Sequence, residues 1–146
     1  MLVFLDLDGV LRCEHSPLWA LDAPLLDRLD RTLLELPRAS VVISSGWREV
    51  FPLAEIVGHF PERVRPRIRG ATPILDAMLE HGRHREVLTY IRRVRHAGPW
   101  VAIDDQREHY PVRDNVRIVD PSRGFDDDAA AWLLDIGRRY GAADAR

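Results

Sequence analysis

Six oxygen-bearing side chains stand just after apolar runs: Asp6 and Asp8 after residues 1–5, Ser44 and Ser45 after 41–43, and Asp104 and Asp105 after 100–103. Four carboxylates gathered at one edge would repel one another unless protons or a cation intervened. An all-oxygen, acid-rich set of this kind suits a hard ion such as magnesium. One Asp at a strand end is commonly a turn or cap residue; the same chemistry at consecutive strand ends is the stronger signal.

Convergence of these ends requires a particular scaffold. Residues 1–5 are continuously apolar, as expected of a strand buried on both faces of a parallel sheet. Leu25, Leu26, Leu29, Leu33 and Leu36 recur at helical spacing behind Pro24, which predicts a helix over 24–36. A second buried strand follows at 41–43, and a helix over about 47–57 that Pro52 delays or kinks. The proline-rich segment 59–75 reads as loop with at most a short strand. Val87, Leu88, Ile91 and Val94 mark one face of a helix over about 84–95, stopped by Gly98 and Pro99. Residues 100–103 and 116–119 read as further strands, and 126–140 as a closing helix with an acidic first turn. Alternating strands and helices imply right-handed crossovers, and ligands in such sheets bind beyond the carboxyl ends of the strands. The expected fold class is α/β, a three-layer Rossmann-like parallel sheet with helices on both faces, forming one domain over 1–146.

Composition narrows the function. With 146 residues, 46% of them hydrophobic, and 21 basic residues against 23 acidic, the chain is neither disordered nor basic enough to coat nucleic acid with its whole surface. Every basic residue is arginine and lysine is absent. That removes a phospho-accepting receiver domain, which also gathers acids at strand ends but needs a lysine after a late strand. The apolar runs fall far short of the roughly 20 residues of a membrane span. With no secretory pattern and a single cysteine, Cys13, a cytoplasmic location without membrane contact is expected. Arg63, Arg65, Arg67 and Arg69 alternate, so in an extended segment they would share one side, as a solvated face or a track for a nucleic-acid backbone. His81 and His84 have metal spacing but no third ligand and read as surface residues. His15 and Trp19 follow the first acids, where the ring of Trp19 either packs or stacks on a base.

The stretch Val3-Phe4-Leu5-Asp6-Leu7-Asp8-Gly9-Val10-Leu11 resembles the first motif of the haloacid dehalogenase-like (HAD) phosphohydrolases. Val41 to Gly46 resembles their second motif, and Val101-Ala102-Ile103-Asp104-Asp105 their fourth. The resemblance runs from residue 1 to about residue 130. More narrowly, Ser45-Gly46-Trp47-Arg48, Gly70-Ala71-Thr72-Pro73 and the Asp104-Asp105 pair followed by Gly124-Phe125 resemble a HAD branch associated with RNA-repair proteins.

The resemblance implies roles. Asp6 would be the nucleophile that forms an aspartyl-phosphate, and Asp8 the general acid and then base. A carboxylate meeting a phosphate dianion is repelled by about 4 kcal/mol per charge pair at 4 Å and an effective dielectric of 20. Magnesium held by Asp6, the Asp8 backbone carbonyl and one or both of Asp104 and Asp105, with Asp105 favoured, would offset this. Ser45 would donate to a transferring oxygen and also cap the following helix. Ser45, Gly46, Arg48 and Arg83 form the expected substrate-binding set, Arg48 having an ion pair with Glu49 or Glu55 as its alternative. The family's third motif is usually lysine, so arginine must stand in; Arg85 is the first candidate and Arg83 the second. About 32 residues separate Asp8 from Val41 and about 40 separate Ser45 from Arg85, too few for a cap domain. An open, capless site implies a magnesium-dependent phosphomonoesterase whose phosphate-ester substrates are polynucleotide ends or nucleotide phosphates. The alternatives are a small-molecule phosphatase or nucleotidase, and a degenerate scaffold that binds phosphate esters without turnover.

Overall fold

The computed structural model describes residues 1–143. Its elements are β1 (Leu2–Leu5), α1 (Ala23–Leu34), β2 (Ser40–Ile43), α2 (Leu53–Gly58), β3 (Ile68–Ala71), α3 (Gly82–Val94), β4 (Trp100–Asp104), β5 (Val116–Ile118) and α4 (Asp127–Arg139). The strands form one parallel sheet in the order β3-β2-β1-β4-β5. The fold is therefore an α/β Rossmann-like sheet, with β1 at its centre.

The side-chain period of two sorts each strand between two cores. Val3, Leu5, Val41, Ile43, Val101 and Ile103 pack with Leu29 and Leu33 of α1 and Leu133 and Ile136 of α4. Phe4, Val42 and Ala102 point the other way, toward Val87 of α3 and Tyr110. Each fully buried side chain of this size removes apolar surface that stabilises the fold by about 1.5–3 kcal/mol. Both faces must be covered, which is why these strands read as unbroken apolar runs.

The register matters most for function. Leu5 pairs with Ile43 on one side and with Ile103 on the other. The next residue of each strand is therefore Asp6, Ser44 and Asp104, a polar row across the carboxyl edge on the face that α3 covers. Connections between strands hold single helices and turns, with no inserted domain among the described residues. Among the described residues no helix is long and apolar enough to cross a membrane.

Three expectations change. Pro52 divides the helix expected over 47–57: a 3-10 turn spans Gly46–Glu49, and α2 starts behind Pro52, which serves as its N-cap. A proline without an N–H cannot continue the hydrogen-bond ladder. Helix α3 buries Glu86 and Val87 and leaves Leu88 and Val94 exposed, so its inward face is rotated from the one the apolar pattern marked. The alternating arginines do not form a stripe, because residues Arg65–Arg67 make a 3-10 turn. Arg63 pairs with Asp30 at 2.7 Å, and Arg65 donates to the Phe60 and Gly58 carbonyls. Arg67 donates to the carbonyls of Leu33, Leu36 and Ala39, tying the segment after α1 to the turn before β3.

Candidate active site

Asp6 is the centre of the polar row. It is 6% exposed, and its Oδ1 accepts the Leu7 N–H at 2.8 Å. Asp6, Asp104 and Asp105 each place a carboxylate oxygen within 4.8 Å of the others. Burial raises the Asp6 carboxyl well above the usual carboxylate range, and the charges of Asp104 and Asp105 raise it further; Arg83 and the Leu7 N–H oppose them. Burial also pushes Asp105 up to about 6, with Asp6 within hydrogen-bonding reach. The Asp104 carboxylate is held in place by the Gln106 N–H at 2.9 Å and by Nδ1 of His109 at 3.1 Å. By contrast, Oδ1 of Asp105 is buried with no partner among the described residues. A buried carboxylate oxygen left unpaired beside two other carboxylates fits a cation, and an all-oxygen donor set fits a hard one.

Gly9 makes this packing possible. Its φ is +77°, and a Cβ there would stand 2.3 Å from Oδ2 of Asp105. Gly9→Ala is expected to displace that carboxylate and weaken magnesium binding by about 10- to 100-fold while the fold survives. Isothermal titration with the metal reads this directly; an unchanged affinity would remove Asp105 from the metal site.

Asp8 lies at the rim with its side chain half exposed. Two donors among the described residues reach the same oxygen, Oδ1: Nε1 of the buried Trp47 at 3.0 Å and an Arg12 nitrogen at 3.4 Å. Ser45 is fully buried, and its Oγ accepts the Trp47 N–H at 3.3 Å, so it caps the 3-10 turn while keeping its own proton to donate. Gly46 lies beside the arginine opposite: a Cβ there would stand 3.9 Å from a terminal nitrogen of Arg83, an ordinary contact.

The cations sort differently from the sequence reading. Arg85 is exposed and donates Nε to the Glu80 carbonyl at 2.8 Å, away from the acids. Of the two, Arg83 is the arginine whose charge lowers the Asp6 carboxyl. The reason is helical phase: Arg83, Glu86 and Val87 share the inward face of α3, whereas Arg85 and Leu88 share the outward one. Arg48 is not a surface ion pair with Glu49 or Glu55 and not a free substrate ligand. Its side chain is 5% exposed and donates to the carbonyls of Ser45, Thr72 and Pro73 and, at 2.5 Å, to Glu86. Glu86, absent from the sequence reading, also accepts from Arg83 at 3.2 Å and from the Leu75 N–H. One buried carboxylate thus fixes two guanidinium groups and the loop after β3.

Trp47, Glu86, His109 and Tyr110 are the partners that sequence reasoning did not find. The Tyr110 hydroxyl is raised far above its ordinary range by burial and by Asp104, so it remains a proton-bearing neighbour of the acids. Its signal was faint: an aromatic residue in a polar loop. Trp19 packs edge-on against Trp47 and Phe51, which settles it as a packed ring. His84 packs against Trp100 and Tyr110 rather than standing on the surface.

A family model described as the HAD domain in Swiss Army Knife RNA repair proteins matches residues 2–130. The chain belongs to this HAD family. The match covers β1 through β5 and the first turn of α4, and so every residue of the acid cluster. No curated protein and no solved structure matches the chain. Membership in the HAD family points to phosphohydrolase-type chemistry, and the acid cluster lies where such chemistry needs it, at the carboxyl edge of the central strands.

Proposed function

We propose that the chain is a magnesium-dependent phosphomonoesterase that works through a phosphorylated Asp6, with residues 1–146 as one catalytic unit. The observation that carries this reading is the buried carboxylate cluster with an unpaired Asp105 oxygen. Asp6, Asp105 and the Asp8 backbone carbonyl would hold the metal, with Asp104 beside them. Bound there, magnesium would neutralise phosphate charge and act as a Lewis acid on a phosphate oxygen.

The chain's own groups supply the rest. Leu7 pins one oxygen of Asp6, leaving the other to attack phosphorus while the bond from phosphorus to the leaving oxygen breaks. Asp8 gives its proton to that oxygen. It then takes a proton from water, whose oxygen attacks phosphorus and breaks the bond to Asp6, releasing inorganic phosphate. Ser45 and Arg83 bind the non-bridging oxygens, and Glu86 keeps the Arg83 guanidinium aimed. The open site and the family's link to RNA repair support polynucleotide ends as the substrate class.

Phosphate release from an aryl phosphate with and without magnesium tests this reading; release that ignores the metal, or none at all, would sink it. The metal should also compete with protons. Burial pushes the Asp105 carboxyl up to about 6. Protons on Asp105 and on the likewise raised Asp6 both compete with the metal, so magnesium affinity is expected to be lower at about pH 5 than at about pH 7. Calorimetric titrations at about pH 5 and about pH 7 measure the difference.

A further inference from the structure

A second charged cavity lies at the far end of α3. It encloses about 520 Å³ and is lined by Arg38, Arg69, Arg95, His96, Tyr90 and Met1, among others, with no acidic residue in its wall among the described residues. In a chain of net charge −2, such a concentration of positive charge calls for an anion. The cavity beside the candidate active site has the opposite character. It encloses about 480 Å³ and exposes Glu49, Asp76, Glu80 and Glu108 around Arg83. A phosphodiester backbone would be repelled there beyond its terminal phosphate.

The arginines of the far cavity are uncommitted. Among the described residues Arg38 and Arg95 make no side-chain hydrogen bond or ion pair, and Arg69 uses only Nε, toward Ser40 Oγ at 3.2 Å. This contrasts with Arg48, Arg65 and Arg67, which are spent on backbone carbonyls. Arg95 also holds a left-handed backbone, φ 55° and ψ 42°, as the C-cap of α3, a conformation that glycine adopts without cost. Arg95 thus holds, in a strained geometry, a position that glycine would fill more easily.

We infer that this cavity is a second phosphate-binding site that holds the backbone of a single-stranded nucleic acid whose terminal phosphate occupies the catalytic site. This rests on the substrate class proposed above. The two cavities are separated by α3, whose 13 residues span about 20 Å at 1.5 Å per residue. At about 3.4 Å per stacked nucleotide, a strand bridging them is roughly six nucleotides long.

The test is fluorescence anisotropy with terminally phosphorylated oligoribonucleotides of about 4 and about 10 nucleotides, on either side of that length, over a range of salt. The longer strand should bind more tightly and with a steeper salt dependence. Replacing Arg38, Arg69 and Arg95 together with alanine should flatten its slope of log K against log salt by about two, at about 0.7 per lost phosphate contact, and leave the shorter strand unaffected. Arg95→Gly should raise the melting temperature while weakening the longer strand's binding, which keeps the test decisive if the triple variant does not fold. Equal slopes for wild type and variants, or a melting change with unaltered binding, would return these arginines to the helix ends and overturn the inference. Competition by inorganic phosphate at concentrations comparable to the oligonucleotide would assign a small anion instead, and overturn it also. Binding requires no turnover, so failure of the catalytic reading shows up separately, as absent release from an aryl phosphate that touches only the catalytic site.

Discussion

Asp6→Asn should have two opposite effects: loss of phosphate release by about four to six orders of magnitude, and a higher melting temperature for the metal-free protein. The first follows because the amide keeps the shape of the carboxylate but cannot serve as the nucleophile, and removing a nucleophile from a set that acts as a unit costs on this scale. The second follows from the surroundings of Asp6. Its carboxyl is buried beside Asp104 and Asp105, and at their mutual distance of up to 4.8 Å each ionised pair repels by at least about 3 kcal/mol at an effective dielectric of 20. Every kcal/mol recovered raises the melting temperature of a chain this size by about 2–4 °C. The pH dependence distinguishes this from a general stabilisation. The folded state holds the Asp6 and Asp105 protons more tightly than the unfolded state, so wild-type stability rises as the pH falls from about 6 toward the unfolded value near 3.9. The Asn variant should lose part of that rise, and the two proteins should converge in acid. Turnover within tenfold of wild type would end the covalent mechanism; a lower melting temperature would mean that the carboxylates are not in conflict.

The second large effect separates two neighbouring arginines. Arg83→Ala should lower kcat/KM by about 10²- to 10³-fold, the usual loss when a preorganised donor to a charged transition state is removed. Arg85→Ala should stay within about twofold, since among the described residues its guanidinium serves only the Glu80 carbonyl. Glu86→Gln adds a check on positioning: it keeps the volume but loosens Arg83 and leaves Arg48 buried without its ion pair. Its loss should fall mainly on kcat, with a melting temperature below wild type. A larger loss for Arg85→Ala than for Arg83→Ala would overturn the orientation of α3.

The contrast between these arginines shows what the sequence could reveal. Strand ends were legible because apolar runs stop abruptly at Asp6, Ser44 and Asp104, and a parallel sheet in register must bring such ends together. The phase of α3 was not. Val87, Leu88, Ile91 and Val94 suggested one face, but the helix lies on the sheet with Glu86 inward because Arg48 and Arg83 satisfy its charge. A buried acid reads as surface until its partners are known, and Arg48 is 38 residues away. The contact of Trp47 with Asp8 spans 39 residues and was hidden for the same reason. The alternating arginines misled in the opposite direction: their spacing was real, but the chain turns there, with the Val64 and Arg65 N–H groups donating to the Pro61 carbonyl and the Arg67 N–H to that of Val64.

A free carboxyl group is symmetric, and either oxygen can carry its proton. Trp47 breaks that symmetry at Asp8. An indole N–H can only donate, so the oxygen facing it must accept, and Arg12 reaches toward the same atom. In the proposed reaction the transferable proton is thereby confined to Oδ2. An aromatic ring with no part in bond making thus selects the lone pair through which acid and base steps both pass, and with it the face from which the leaving group departs.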